Sequence, residues 1–247
     1  MKPDDIKFAC ICPTYNRPRM LPEAIESFQR QTHPHRELII IDDANQYEPQ
    51  EGDRWKLLTF PERFPFVYEK YSYGISCLSD CNAVAIWDDD DISLPDRLAV
   101  LATVLADGND VACFSAICHL GECVTYRPIH FSYFHSGAYL MAAYHKAGGY
   151  PSMNSGGDQV IRNHFHFSGA KFGFAPLESV EYLYRWKSCY RHLSYNNHDS
   201  HEEIARTKVE KVEGKIHPHW TEDWDQLVRD TLDVQFNTAQ EEDISHE

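Results

Sequence analysis

The pattern of hydrophobic positions predicts alternating strands and helices in the first half of the chain. Short runs rich in Ile, Val and Cys occur at 6–12, 37–43 and 84–87, and such runs are typical of buried strands. Between the first two runs, apolar residues recur at helical spacing at Leu21, Ala24, Ile25 and Phe28. Because strand, helix and strand follow one another, we expect a doubly wound α/β sheet.

Past the second strand the pattern is less regular. Residues 46–66 are polar and contain several prolines, which predicts an irregular segment, and residues 66–71 are predicted as an edge strand. Residues beyond about 199 are expected to be charged and helical, with a frayed acidic tail from residue 240. The remaining predictions are strands at 111–116 and 180–186 and helices at 98–105, 138–146 and 158–165.

Acidic residues follow two of these strands directly. Four consecutive aspartates, 88–91, follow the strand at 84–87, and an Asp-Asp pair ends the second strand. Because ligands of such sheets collect at the carboxyl ends of the strands, these carboxylates and the loop at 13–18 should share one crevice. Like charges are costly to bury without partners, whereas Mg²⁺ and Mn²⁺ bind oxygen ligands, so the run indicates a divalent-cation site. The alternative is a solvated acidic turn that caps the helix after Pro95.

Composition narrows the class of protein. The chain has 247 residues, of which 43% are hydrophobic, and this is typical of a globular domain. Its net charge of −15 opposes a large non-specific nucleic-acid surface. No apolar run reaches the ~20 residues that span a bilayer, and the N-terminus has no signal-peptide pattern, so we expect a cytoplasmic protein without a membrane span. The eight cysteines are expected to be reduced, with Cys10 and Cys12 as small core residues on one face of the first strand.

Five short motifs occur in an order that is typical of one enzyme family. C-P-T-Y-N-R-P follows the first strand, I-I-I-D-D-A ends the second, and W-D-D-D-D-I-S-L-P-D-R-L contains the acidic run; A-G-G-Y-P…G-G-D-Q and Y-R-W…H-L-S come later. With these motifs the chain resembles glycosyltransferase family 2, the inverting nucleotide-sugar transferases with a GT-A fold, over about residues 6–195. The resemblance implies an α/β fold in which a GT-A (Rossmann-like) mixed sheet is flanked by helices, with a small C-terminal helical appendage.

The resemblance also implies a division of the chain. A GT-A domain would span 1–198, with a donor-binding half at 1–95 and an acceptor-binding half at 96–198. A C-terminal helical extension would follow at 199–239, and the acidic tail at 240–247 is expected to be disordered.

For the donor site, the resemblance assigns roles to the acids at the strand ends. Asp88 and Asp90 would form the DxD element that holds Mn²⁺ or Mg²⁺ against the donor diphosphate, and Asp89 would face the ribose or the sugar. Asp42 is similar to the acid that accepts a hydrogen bond from the base, usually uracil. The loop after the first strand would line the nucleotide pocket with Pro13, Thr14, Tyr15 and Arg17. Tyr15 could equally pack beneath the sheet edge.

The remaining site assignments leave alternatives open. Asp158 occupies the place of the catalytic base, although an Asp after a Gly is also a frequent helix N-cap, and Gly157 stands where the family usually has Glu. His192 would be a late metal ligand or a diphosphate contact, or else a surface histidine at a strand end. The donor-contacting Arg of the family is missing from its usual place, and Lys70 or Arg63 would replace it.

The implied reaction moves a sugar from a nucleotide-sugar donor, with a UDP-sugar favoured, to a hydroxyl of a glycan, a protein or a hydroxymethylated nucleobase. The cation would stabilise the diphosphate leaving group, and the carboxylate base would activate the hydroxyl for inversion. A sugar-nucleotide pyrophosphorylase is the nearest alternative enzyme, but the Gly-rich loop that it carries after the first strand is not found here. A non-catalytic nucleotide- or carbohydrate-binding module is the other alternative, and it would be expected to lose the DxD acids or Asp158.

Overall fold

The computed structural model describes residues 1–78, 80–129, 136–153, 156–185, 209 and 211–244, with side chains described as far as residue 236. The strands are β1 (Phe8–Thr14), β2 (Arg36–Asp42), β3 (Gln50–Gly52), β4 (Trp55–Thr59), β5 (Ala83–Ile86), β6 (Ile92–Ser93), β7 (Val111–Cys113), β8 (Ala116–Leu120), β9 (Val124–Pro128), β10 (Ala138–Leu140), β11 (Phe172–Phe174) and β12 (Tyr182–Arg185). The helices are α1 (Leu21–Gln29), α2 (Val67–Ser76), α3 (Arg97–Ala106), α4 (Met141–Ala147), α5 (Gly157–Phe167) and α6 (Trp224–Ile244).

The central element is an eight-stranded mixed sheet. Its strand order is β11-β7-β10-β5-β1-β2-β4-β3. Strand β1 runs parallel to both β2 and β5, whereas β10 and β3 are antiparallel to their neighbours. In this register Thr14 pairs with Asp42 at the carboxyl ends of β1 and β2. Because β5 runs in the same direction, the acidic run that follows it begins at the same edge of the sheet.

Helices cover both faces of this sheet, because the side chains of β1 alternate between two cores. Phe8, Cys10 and Cys12 pack with α1 and α3, whereas Ala9 and Ile11 pack with α2 and α5 on the opposite face. Both cysteines are free and buried, as expected for core residues, and burial raises the pKa of the Cys10 thiol to about 12.

A smaller four-stranded sheet, with the order β6-β12-β8-β9, lies beside the acidic run. The C-terminal segment closes its core through Trp224, Val228 and Leu232 of α6. Residues 211–223 are not helical, and α6 continues to Ile244, past the point at which the acidic tail was expected to begin. In the described part of the chain, no helix combines the length and the apolar character that crossing a bilayer requires.

Several elements differ from the predictions. Residues 46–66 are not irregular throughout, because they contain β3 and β4, where Trp55 and Leu57 are buried and the intervening Lys56 is exposed. The predicted strand at 111–116 is interrupted between β7 and β8. The predicted helix at 138–146 begins with the short strand β10, which pairs with β5 and β7 before α4 starts.

The prediction of an edge strand at 66–71 is wrong, because these residues open helix α2. Tyr68, Tyr71 and Ile75 are buried at spacings of three and four residues, which is the period of a helix face that packs on a sheet. In a strand, Tyr68 and Tyr71 would have pointed to opposite faces. In α2 they share one face, and this face is turned toward the crevice.

Candidate functional site

The crevice lies at the carboxyl ends of β1, β2 and β5, where the sequence predicted it. Thr14 ends β1, Asp42 ends β2, and the run 88–91 begins two residues after β5. Trp87, which lies between β5 and this run, is buried, and its indole N–H donates a hydrogen bond to the carbonyl of Ala24 at 3.0 Å. The sheet and α1 therefore fix the point at which the acidic run enters the crevice.

Arg17 pairs with two of the four aspartates. Its Nη1 lies 2.5 Å from Oδ1 of Asp89 and 3.0 Å from Oδ2 of Asp90. Both carboxylates are nearly inaccessible, with 1% of Asp89 and 6% of Asp90 exposed. Burial raises the pKa of Asp89, and the guanidinium of Arg17 opposes that shift. The PTYNR loop and the acidic run are thus joined by an ion pair with little access to water.

The outer two aspartates of the run have different partners. Asp88 is partly exposed, and its Oδ1 accepts a hydrogen bond from the hydroxyl of Tyr71 at 2.5 Å. Asp91 is buried, and it accepts hydrogen bonds from the Tyr182 hydroxyl at 2.6 Å and the Arg185 backbone N–H at 2.8 Å. Burial, and then the charge of Asp90, raise the pKa of Asp91 well above its usual range. Asp91 therefore joins the acidic run to β12, whereas Asp88 remains accessible from the crevice.

A buried ion pair supports the acidic run from below. The Arg185 Nε donates to the backbone carbonyl of Asp90 at 2.5 Å, and its Nη1 pairs with Glu23 of α1. Glu23 also accepts hydrogen bonds from Thr221 and Trp224 at the start of the C-terminal segment. One carboxylate therefore connects α1, β12 and the C-terminal segment to the backbone of Asp90.

The acids at the end of β2 are occupied within their own loop. Both oxygens of the fully buried Asp42 accept backbone hydrogen bonds, from Ala44 at 2.9 Å and from Gln46 at 2.7 Å and Tyr47 at 3.2 Å. Burial raises the pKa of Asp42 in spite of these donors. In this structure Asp42 shapes the loop after β2, and its predicted contact with the base of the nucleotide stays a prediction.

Lys70 of α2 is buried beneath the same loops. Its ammonium group pairs with Asp43 and donates a hydrogen bond to the backbone carbonyl of Thr14 at 3.0 Å. Burial lowers the pKa of Lys70, although Asp43 opposes the shift. The Tyr15 ring lies between two cations, with the Arg63 guanidinium 4.4 Å and the Lys70 ammonium 5.8 Å from its centroid. Lys70 thus binds the ends of β1 and β2 together, and Arg63 is the more accessible of the two candidates for a phosphate contact.

Asp158 lies in the first turn of α5, on the α2 side of the crevice. Gly156, at the N-cap of α5, has a positive φ of 71° and no side chain to cap the helix. The Tyr68 hydroxyl takes that place, because it accepts the backbone N–H of Asp158 at 2.9 Å and lies 3.4 Å from Oδ1 of the same residue. A Cβ atom on Gly157 would lie only 2.2 Å from the Tyr68 ring. Any side chain at position 157, including the Glu that the resemblance implied, would therefore require the Tyr68 ring to move.

One predicted site residue lies outside the described residues, and two residues of the site were not predicted. His192 is not among the described residues, so its predicted role as a metal ligand stays a prediction. Tyr68 and Tyr71 were missed, because the strand prediction placed them on opposite faces. Their spacing of three residues is the signal that a helical reading of 67–76 would have used.

The donor set suits a cation that arrives together with a ligand. No group of three or more His, Cys, Asp or Glu side chains within the described ranges is arranged to hold a metal ion alone. Mg²⁺ and Mn²⁺, however, commonly take one or two protein carboxylates and complete their coordination with substrate phosphates and water. Asp88, which is partly exposed, and Asp90, which is paired with Arg17, are the two carboxylates predicted for such a role.

The sequence pattern of glycosyl transferase family 2 matches residues 9–173, about two-thirds of the chain. The chain belongs to glycosyl transferase family 2. This is the family that its motifs predicted, and the matched range contains the whole acidic run, α2 and Asp158. No curated protein sequence matches the chain.

Solved structures of glycosyltransferases share the fold. TarS of S. aureus is similar with a TM-score of 0.59 at 16% identity, over 73% of this chain and 37% of TarS. TarS 1–349 in complex with UDP gives a TM-score of 0.59 at 15% identity, over 81% of this chain and 63% of the other. The mannosyltransferase PcManGT from Pyrobaculum calidifontis, in complex with GDP-Man and Mn²⁺, gives a TM-score of 0.55 at 16% identity, over 77% of this chain and 60% of PcManGT.

At these identities the likeness shows the fold, and it confirms the predicted GT-A architecture of a mixed sheet flanked by helices. The chain spans less than two-thirds of the length of each of these neighbours.

Proposed function

We propose that this chain is a metal-dependent, inverting glycosyltransferase that moves a sugar from a nucleotide-sugar donor to an acceptor hydroxyl. The observation that carries the proposal is the arrangement of its carboxylates. Asp88 and Asp90 lie on one side of the crevice and Asp158 lies in the first turn of α5, and the stacked Tyr71 and Tyr68 rings connect the two sides. A transferase of this kind needs a cation site and a base that face one reaction space.

Asp88 and Asp90 are proposed to hold Mn²⁺ or Mg²⁺ together with the donor diphosphate. When bound, the cation supplies positive charge where the leaving diphosphate gains negative charge. The chain's own part is to hold the two carboxylates in place. Tyr71 donates to Asp88, Arg17 pairs with Asp90, and Arg185 fixes the Asp90 carbonyl. Asp89, whose charge Arg17 also balances, is proposed to face the ribose or the sugar.

Asp158 is proposed as the base that removes the proton from the acceptor hydroxyl. It lies in the first turn of α5, where the positive end of the helix dipole attracts negative charge. A base on the face of the sugar opposite to the leaving diphosphate gives displacement with inversion. The Tyr68 hydroxyl restrains the backbone and the side chain of Asp158 in the first turn of α5.

The donor is proposed to be a UDP-sugar, with a GDP-sugar as the second candidate. One neighbour of the same fold was solved with UDP, and another was solved with GDP-Man and Mn²⁺. The nucleobase of the donor would lie over the loop that contains Pro13, Thr14 and Tyr15. Asp42 would shape the opposite wall of the nucleotide pocket. The proposed acceptor is a hydroxyl of a glycan, a protein or a hydroxymethylated nucleobase.

The test is calorimetric binding of UDP and GDP, with and without Mn²⁺, to the wild type and to Asp90→Asn. We expect one nucleotide to bind the wild type with Mn²⁺, and we expect that binding to be lost without Mn²⁺ or in Asp90→Asn. Asp107→Asn, which changes an exposed aspartate after α3, is the matched control and should bind as the wild type does. If neither nucleotide binds under any of these conditions, the proposal of a nucleotide-sugar donor site is wrong.

A further inference from the structure

Two tyrosines of α2 form a stacked pair between the two acidic sides of the crevice. The Tyr68 and Tyr71 rings lie 5.6 Å apart at an angle of 26°, and the Tyr150 ring packs on both, at 5.4 and 5.3 Å. Tyr68 and Tyr71 are 5% and 3% exposed. Rings that are buried and stacked in this way have little rotational freedom, so their hydroxyls have fixed positions.

Each hydroxyl of the pair meets a different acid. Tyr71 donates to Oδ1 of Asp88 at 2.5 Å. Tyr68 accepts the N–H of Asp158 at 2.9 Å and lies 3.4 Å from Oδ1 of the same residue. The second distance is longer than an ordinary O–H···O bond, and contacts of this length in unliganded sites commonly shorten when substrate binds.

The surroundings prevent the pair from moving. The backbone of Gly157 packs so closely on the Tyr68 ring that a Cβ atom there would lie 2.2 Å from it. Behind Tyr150, the Tyr139 hydroxyl donates to the Tyr150 hydroxyl at 2.9 Å, and the Tyr139 ring lies 5.0 Å from the Phe165 ring of α5. The pair is therefore a rigid hydrogen-bonding support.

We propose that Tyr71 and Tyr68 are positioning residues of the transfer reaction, in which Tyr71 orients Asp88 toward the cation and Tyr68 orients Asp158 toward the acceptor hydroxyl. This inference rests on the function proposed above, and it adds that α2 sets the relation between the two carboxylates. Residues that orient metal ligands by hydrogen bonds commonly change metal affinity or activity by 10- to 100-fold when they are replaced.

The test removes one hydroxyl at a time and keeps the ring. Tyr71→Phe should weaken Mn²⁺ binding in the presence of UDP by about 10- to 100-fold in calorimetry, whereas Tyr68→Phe should leave it unchanged. Tyr68→Phe should instead lower kcat by about 10-fold or more, with an unchanged KM, for the nucleotide sugar that the wild type turns over. Tyr73→Phe, on the exposed face of the same helix, is the control and should change none of these quantities.

The variants separate positioning from packing. If the two hydroxyls served only packing, Tyr71→Phe and Tyr68→Phe would both lower the urea midpoint. The loss of Mn²⁺ affinity would then not be confined to Tyr71→Phe, nor the loss of kcat to Tyr68→Phe. If Tyr71→Phe is too unstable to assay, the kcat of Tyr68→Phe still tests the inference; where Tyr71→Phe folds, it should cost no further Mn²⁺ affinity in the background Asp88→Asn, because its acceptor has been changed. Wild-type Mn²⁺ affinity in Tyr71→Phe, or wild-type kcat in Tyr68→Phe, overturns the inference while the proposed function stands. Failure of the wild type itself to bind Mn²⁺ with UDP or GDP overturns both.

Discussion

Glu23 of α1 connects three elements from outside the crevice. Only 3% of it is exposed, and its Oε2 pairs with the Arg185 guanidinium. Its Oε1 accepts from the Thr221 N–H at 3.1 Å, the Thr221 hydroxyl at 2.6 Å and the Trp224 indole N–H at 3.1 Å. Glu23→Gln keeps the size of the side chain, removes its charge and exchanges one acceptor oxygen for a donor.

The magnitude follows from the burial of the ion pair. Removing one partner of a buried pair costs about 3–5 kcal/mol, because the other charge stays in a medium of low dielectric constant. Since glutamine still offers one acceptor oxygen, we expect the free energy of unfolding to fall by about 3 kcal/mol, near the lower value. A domain commonly has a free energy of unfolding of roughly 5–15 kcal/mol. Arg185 also donates to the Asp90 carbonyl, so the substitution should weaken Mn²⁺ binding as well.

The assay is urea unfolding of Glu23→Gln beside Glu26→Gln. Glu26 lies one turn further along α1 and pairs with Arg30 at 2.7 Å, where the Arg30 side chain is 46% exposed. Exposed pairs of this kind contribute about 0.5 kcal/mol or less, so Glu26→Gln should hardly change the urea midpoint. Equal midpoints for the two variants would refute the argument that Glu23 connects the C-terminal segment to the site.

Three further predictions follow from neighbouring contacts. Interactions with Arg185 and Thr221 lower the pKa of Glu23 below its usual 4.5 in spite of burial. The contribution of Glu23 to stability is therefore complete above about pH 4.5, and it is lost as the pH falls through the lower pKa of the folded state. Urea midpoints measured from about pH 6 to pH 3 should fall more steeply for the wild type than for Glu23→Gln. Arg17→Gln should weaken Mn²⁺ binding in the presence of UDP by about 10-fold or more in calorimetry, because Asp89 and Asp90 lose the buried cation that balances their charge and holds the Asp90 carboxylate; an unchanged affinity would mean that Arg17 does not position Asp90. Gly157→Ala should lower the free energy of unfolding in urea by about 1–3 kcal/mol, since its Cβ would lie 2.2 Å from the Tyr68 ring. A wild-type midpoint would show that this ring can move aside. Gln159→Ala, at an exposed position of the same helix, is the control.

The sequence predicted the crevice because its determinants are local. Buried runs of Ile and Val ending in acid mark parallel strands whose carboxyl ends meet, and β1, β2 and β5 have that arrangement. The predicted face for Cys10 and Cys12 is also correct, since a period of two places them together in one core. Patterns of this kind depend on neighbours in sequence, so they can be recognised without knowledge of the tertiary structure.

The contacts that support the crevice connect residues far apart in sequence. Glu23 meets Arg185 and Trp224 across 162 and 201 positions, and nothing local to any of them indicates the partner. The helix α2 was missed for another reason, because Tyr is common in strands and the proline-rich residues before it favoured an edge strand. Burial of Tyr68, Tyr71 and Ile75 against the sheet decided the helical conformation.

The charges around the crevice determine how a donor can bind. Four aspartates meet there, and Arg17 pairs with two of them, whereas Lys70 is paired with Asp43 and Arg185 with Glu23. A diphosphate would add negative charge to this excess, and two like charges 4 Å apart repel by about 4 kcal/mol at an effective dielectric constant of 20.

We therefore expect UDP and Mn²⁺ to bind as a unit, with each raising the affinity for the other by the same factor. In calorimetry that factor should be about 100, near the upper end of ordinary coupling between two ligands, and it should fall in Asp88→Asn because one of the carboxylates that attract the cation is lost. A UDP affinity that does not depend on Mn²⁺ would instead place the diphosphate against Arg63 beside Tyr15, where a guanidinium without a carboxylate partner in the described contacts could neutralise it.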